Sequence, residues 1–275
     1  MNAEIDFSLK EIKDYILRQL KENEEIFFFN ELELQIFVAR ILENALKKDC
    51  KVHLEYQLPK GWNEKFDKGY ERWGTEKPYF DIVIEHENQF IVIELKYKLK
   101  KIKLNKENQF LRFGEKAKDE NLVLVTNQSA ENEGRYDFWK DVKRIEVLRT
   151  AFAKVIGGIA LFVTNQSSYI EQGQQNTKGE KQEKKIYKYS NFAFGKEKKG
   201  FLFWNPDDDS QITEEFPNGE RLKKNKYGKF YSGEKWEHWV RPNFTLEEEY
   251  RELMWEKIGT PLNEEFYCYS VVVPS

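Results

Sequence analysis

Asp81 stands near the start of one apolar, strand-like run, and Glu94 and Lys96 stand two residues apart in the next, within KPYFDIVIEHENQFIVIELKYK (residues 77–98). An unpaired buried charge costs several kcal/mol, so three ionisable side chains in such runs ask for a chemical role. Strand side chains alternate faces. Glu94 and Lys96 therefore share a face with Phe90 and Val92, and Asp81 shares one with Val83, while Ile91, Ile93 and Leu95 turn to an apolar core. An antiparallel hairpin turning at 86–88 makes the two polar faces coincide and sets Asp81 across from the Glu94–Lys96 end. Two carboxylates and the Leu95 carbonyl between Glu94 and Lys96 are hard oxygen donors suited to Mg²⁺. Such an ion polarises a phosphodiester and lowers the pKa of a bound water. Lys96 beside it would orient that water or stabilise the developing phosphorane.

The elements that must position these groups are legible in the spacing. Residues 4–25 read as an amphipathic helix. Asn30 is placed to cap a second helix, whose apolar positions Leu34, Phe37, Val38, Ile41 and Ala45 form one stripe. On a wheel of about 100° per residue Glu31 falls about 60° from Leu34, at the edge of the buried face, and Glu33 falls about 100° away on the other side. Gln35, one turn beyond Glu31, lies on the same side. Strands are expected over 51–58, 80–85 and 90–97, with a further apolar segment at 120–127. GRYDFWKDVKRIEVLRTAFAKV has helical spacing with Phe138, Val142, Ile145 and Leu148 in line, and GGIALFVTN (157–165) suits a buried strand. Helix, strand, hairpin, helix and strand together predict an α/β fold with a mixed sheet.

Asp81, twelve intervening residues and Glu94-Leu95-Lys96, preceded by NELELQIFVARIL, resemble the PD-(D/E)XK nuclease superfamily, which includes restriction endonucleases and Holliday-junction resolvases. The resemblance spans about residues 30–170. It implies a restriction-endonuclease-like α-β-β-β-α-β core, with a central mixed sheet flanked by helices, and hydrolysis of nucleic-acid phosphodiesters with Mg²⁺ (Mn²⁺ substituting). It gives catalytic roles to Asp81, Glu94, Lys96 and Glu31, the last as the first-helix glutamate, and a metal shell of Asp81, Glu94, the Leu95 carbonyl and Glu31. GGIALFVTN would be the closing strand of the core. GRYDFWKDVKRIEVL is similar to a segment in bacterial members of the family. Two features depart from the family pattern: Pro78 lies three residues before Asp81 rather than next to it, and Gln109 and Phe113 have the spacing of an exonuclease-like helix but lack its Tyr. An endonuclease is therefore expected, acting on DNA in preference to RNA, and the fold's dimeric enzymes suggest a homodimer. The alternative is a catalytically silent nucleic-acid-binding or structural module on the same fold.

Composition bounds the rest. Among the 275 residues are 21 Phe, 14 Tyr and 7 Trp, too many aromatics for a disordered chain. A net charge of −3 means that any nucleic-acid contact comes from a local patch. Lys98 and Lys100, followed by Lys101 and Lys103, form such a patch beside the motif, and Gln35, Arg135 and Tyr136 are further candidate substrate contacts. Asp137 and Asp141 read as surface charges of their helix. No apolar run is long enough for a membrane span and the N-terminus is charged, so a cytoplasmic protein without a membrane partner is expected. The three His and two Cys have no ligand spacing, which predicts no zinc site. Residues 1–170 are expected to form the core with its N-terminal helices, and 171–275 a strand-rich elaboration packed on it. Within the latter, 171–190 reads as a surface loop and 205–209 as a turn. Lys223, Lys224, Lys226 and Lys229 with nearby aromatics form a candidate strand-binding patch, and 245–259 is read as a short helix capped by Thr245 and ended by Gly259.

Overall fold

A computed structural model of the chain describes residues 4–58, 79–103, 123–126, 131–170, 192–202, 212–215, 221–223 and 244–275. Pro78, Gln109, Phe113, residues 171–190, residues 205–209 and the lysines at 224, 226 and 229 lie outside the described residues. The elements begin with α1 (Leu9–Glu22), α2 (Glu31–Ala45), β1 (Lys51–Gln57), β2 (Tyr79–His86) and β3 (Gln89–Lys98). The short β4 (Ile102–Lys103) and β5 (Val123–Val125) precede α3 (Glu131–Ala151), β6 (Val155–Thr164) and α4 (Ser167–Ile170). Then follow β7 (Lys198–Leu202), β8 (Ile212–Glu215), β9 (Arg221–Lys223), β10 (Phe244–Tyr250), β11 (Trp255–Gly259) and β12 (Phe266–Val273).

The central sheet is mixed, six-stranded and ordered β1-β2-β3-β6-β12-β11. β3 and β6 run parallel and the other neighbours antiparallel. A parallel pair needs a long crossover, and α3 lies in the chain between β3 and β6. The β2–β3 hairpin closes with Glu87 and Asn88, both at positive φ (48° and 61°), which matches a two-residue turn following the strand twist. Alternation then sorts the sheet into two faces. Ile82, Ile84, Ile91, Ile93, Leu95 and Tyr97 pack under α1 and α2, and Val83, Val92, Ala160 and Phe162 pack under α3. β6 carries apolar residues on both faces because both are covered.

Gly158 permits this packing. A Cβ there would sit 2.5 Å from the Val92 carbonyl oxygen and 2.7 Å from Ile145 Cγ2, so α3 settles closely on β3 and β6. The C-terminal part of the chain joins the same sheet through β12, which pairs with β6 from Tyr267↔Thr164 to Val273↔Gly158.

Residues 245–259 are not a helix. They form most of β10 and all of β11, paired with β7 and β12. Phe244, Leu246 and Tyr250 are buried in alternation, and each glutamate of the acidic run that reads as helix-forming meets a cation: Glu247 meets Lys143 and Glu248 meets Arg149, both on α3, and Glu249 meets Lys199 on β7. Tertiary pairing overrides helix propensity here. Gly259 is no C-cap either: a Cβ on it would meet the Glu24 carbonyl oxygen at 2.5 Å. Among the described residues no helix is long and apolar enough to cross a membrane.

Candidate functional site

Extending the β2–β3 register one step past Ile82↔Ile93 sets Asp81 opposite Glu94. Asp81 Oδ2 accepts a 2.6 Å hydrogen bond from the Leu95 N–H, and the Leu95 carbonyl accepts one of 3.2 Å from Lys96 Nζ. The hairpin thus gathers Asp81, Glu94, Leu95 and Lys96 at one point.

Glu31 reaches the same point from α2. Asn30 Oδ1 accepts the Glu33 N–H at 2.9 Å, while Glu33 turns back to accept the Phe29 N–H, so the cap consumes Glu33. Glu31 accepts the Tyr97 N–H at 2.8 Å and its other oxygen lies 4.0 Å from Lys96 Nζ. Gln35 is 3% exposed and contacts the scaffold instead of solvent: its amide donates to the Asp81 carbonyl at 2.6 Å and to Glu55 at 3.0 Å. Glu55 itself has a left-handed φ of 49° in β1, level with Asp81.

Two residues of α3 complete the site, and the sequence reading misplaces one and omits the other. Asp141 is no surface charge; it is 2% exposed and lies 2.9 Å from Lys96 Nζ. Arg144 lies 3.1 Å from Glu94 and 3.2 Å from Asp141, its guanidinium donates to the Tyr79 carbonyl, and it covers the Phe80 ring. A signal was available. On the wheel Asp141 lies about 60° from Phe138 and about 40° from Ile145, inside the buried stripe, and Arg144 lies about 40° from Leu148.

Arg135 and Tyr136 do not line the site. They are 1% and 2% exposed, Arg135 donating to the Ser168 carbonyl and stacking over Tyr169, Tyr136 packing on Phe192 and Phe244, so both serve the core. In the basic run, Lys100 is paired with Glu264 at 2.6 Å and Lys98 is half-buried, while Lys101 and Lys103 are exposed.

The electrostatics follow from burial. Burial pushes the Asp81 carboxyl up to about 6, against the pull of the Lys96 charge and the Leu95 hydrogen bond. Burial likewise holds Glu94 well above the ordinary carboxylate range, opposed chiefly by Arg144. For Lys96, burial alone would lower the pKa, but Asp141, Glu31, Asp81 and Glu94 outweigh it and raise it. Lys96 is therefore a fixed cation, not a proton acceptor. Asp141 is held below its usual range because Lys96, Arg144 and Lys140 together outweigh its burial.

A divalent cation fits this donor set. Four carboxylates (Glu31, Asp81, Glu94, Asp141) face two cations (Lys96, Arg144), an excess of two negative charges if all are ionised. Glu94 Oε1 is buried without a hydrogen bond despite its closeness to Arg144. Mg²⁺ commonly takes one or two carboxylates and keeps several waters, which Asp81, Glu94 and the Leu95 carbonyl can supply. Among the described residues no three of the four carboxylates bring oxygens within 4.8 Å of one another, so the expected shell of Asp81, Glu94 and Glu31 is not drawn together around one point. Comparisons with protein-family models, curated proteins and solved structures returned no match.

Proposed function

We propose that the chain is a metal-dependent nuclease of the PD-(D/E)XK kind, a DNA endonuclease, with the restriction-endonuclease-like core running α2-β1-β2-β3-α3-β6. The observation that carries this reading is the convergence of Asp81, Glu94, the Leu95 carbonyl and Lys96 across one strand pair, with both carboxylates raised by burial. Asp81 and Glu94, with the Leu95 carbonyl, would hold Mg²⁺ or Mn²⁺. When bound, the ion would activate a water and neutralise charge on the phosphate. Asp81 is kept in place by its bond to the Leu95 N–H, and Gln35 fixes the Asp81 backbone. Lys96, permanently charged and oriented by Asp141 and Glu31, donates to the attacking water or to the phosphoryl oxygen. Lys98, Lys101 and Lys103 extend from the same strand end and suit backbone phosphates.

The test is cleavage of supercoiled, linear, branched and single-stranded DNA and of RNA with Mg²⁺ or Mn²⁺, alongside Asp81→Ala and Lys96→Ala. Metal-dependent cutting that both substitutions abolish is expected. Cutting unaffected by either substitution, or none on any substrate, would overturn the reading. One observation favours the silent module instead: Arg144 already places a cation 3.1 Å from Glu94 and 3.2 Å from Asp141, where a metal ion would otherwise offset their charge. That module would bind DNA without metal and leave it intact.

A further inference from the structure

Cys50 and His86 are 36 residues apart, yet one step beyond the Lys51↔Glu85 pair the β1–β2 register sets them opposite each other. Asp49 joins them: its carboxylate oxygen lies 2.9 Å from His86 Nε2, and ligand atoms of Asp49, Cys50 and His86 all lie within 4.8 Å of one another. The group sits at the β2–β3 turn, at the opposite end of the hairpin from Asp81 and Lys96. We propose that Asp49, Cys50 and His86 form a second metal site, for a borderline-soft cation such as Zn²⁺, separate from the carboxylate site.

The chemistry selects the ion. A thiolate, an imidazole and a carboxylate are the donors Zn²⁺ takes, whereas Mg²⁺ prefers oxygens alone. Tetrahedral geometry at ordinary Zn–ligand lengths puts nitrogen about 3.3 Å from oxygen and about 3.6 Å from sulfur. The three groups thus need to shift by little more than an ångström to close on an ion, with a fourth position left to water.

The frame is built. Cys50 donates its N–H to the Lys47 carbonyl at 2.9 Å in the turn between α2 and β1, and the His86 ring packs on Phe7 with centroids 5.1 Å apart. The alternative for a Cys–His–Asp group, a nucleophilic thiol activated by a base, is disfavoured by the pairing: His86 Nε2 faces the Asp49 carboxylate at 2.9 Å.

The full chain, reduced and freed of metal, is dialysed against Zn²⁺ with Mg²⁺ in large excess, and thiol modification is followed with and without Zn²⁺. One retained Zn²⁺ per chain is expected, together with slowed modification of one thiol; Cys268, 1% exposed, serves as the unreactive internal reference. His86→Gln and Cys50→Ser should each weaken retention at least about 10-fold, since even an outer-shell partner is worth that much. Asp49→Asn, at a side chain 61% exposed, should weaken it without affecting folding. No Zn²⁺ retained by the native chain, or retention unchanged in all three variants, would overturn the proposal. DNA cleavage plays no part in the readout, so failure of the nuclease reading would leave this result intact.

Discussion

Replacing Asp141 by Asn removes one charge while preserving shape, and it isolates what the α3 carboxylate does for Lys96. The two groups are 2.9 Å apart, with side chains 2% and 18% exposed. Breaking a buried pair costs about 3–5 kcal/mol because the remaining charge stays buried. Here the lower end applies: Glu31 stands 4.0 Å from Lys96, and Asp81 and Glu94 also attract it. The expected loss is therefore about 3 kcal/mol. For a chain of this size 1 kcal/mol moves the melting temperature by about 2–4 °C, so a drop of about 6–12 °C is expected in thermal denaturation. The double variant Asp141→Asn/Lys96→Met completes a cycle, and it should lose at least about 2 kcal/mol less than the sum of the singles, as coupled buried groups do. A single-variant loss under about 1 kcal/mol, or simple additivity, would refute the idea that Asp141 holds Lys96. In the cleavage assay Asp141→Asn should lower turnover more than metal affinity, because the cation it positions is not a metal donor.

Asp81 has a folded pKa of about 6 against an ordinary 3.8, so the stability tied to its protonated form is complete below about 3.8 and lost as pH rises through about 6. A shift of about two units corresponds to roughly 3 kcal/mol as an upper bound. Asp81→Asn should thus flatten the stability profile between pH 4 and 7 and exceed the parent at pH 8; a parent profile with no fall over that window would contradict the assignment. Glu146, fully buried, accepts hydrogen bonds from the Glu247 and Glu248 N–H groups and from the Tyr250 hydroxyl. Glu146→Gln should cost about 3 kcal/mol in urea denaturation, since bonds to a charged acceptor contribute about 1.5–3 kcal/mol each. Gly158→Ala forces a Cβ against Val92 and Ile145 and should cost about 1–3 kcal/mol. Because that shift moves α3, cleavage should fall with it, which paired melting and activity measurements would check.

Local pattern determined much of this molecule. The period of two in residues 80–97 set which face Asp81, Glu94 and Lys96 share, and the Asn30 cap with the 3-4 spacing of α2 set Glu31 at the edge of a buried stripe. Both signals lie within a few residues of what they position, so they are readable without the fold. The helix after residue 131 was legible in the same way, yet its charges were not. A charge on a buried stripe looks like a surface charge until its partner is known, and Lys96 and Glu94 reach Asp141 and Arg144 only because β6 is docked beside β3 and Gly158 lets α3 approach. The same distance defeated the reading of residues 245–259, where Lys143, Arg149 and Lys199 gave the three glutamates a better use in and beside a strand than in a helix. It also hid Cys50 and His86, which no spacing along the chain connects. Sequence periodicity carries the direction in which a side chain points; only the pairing of distant strands and helices decides what it meets there, because that depends on burial and charge supplied from elsewhere in the chain.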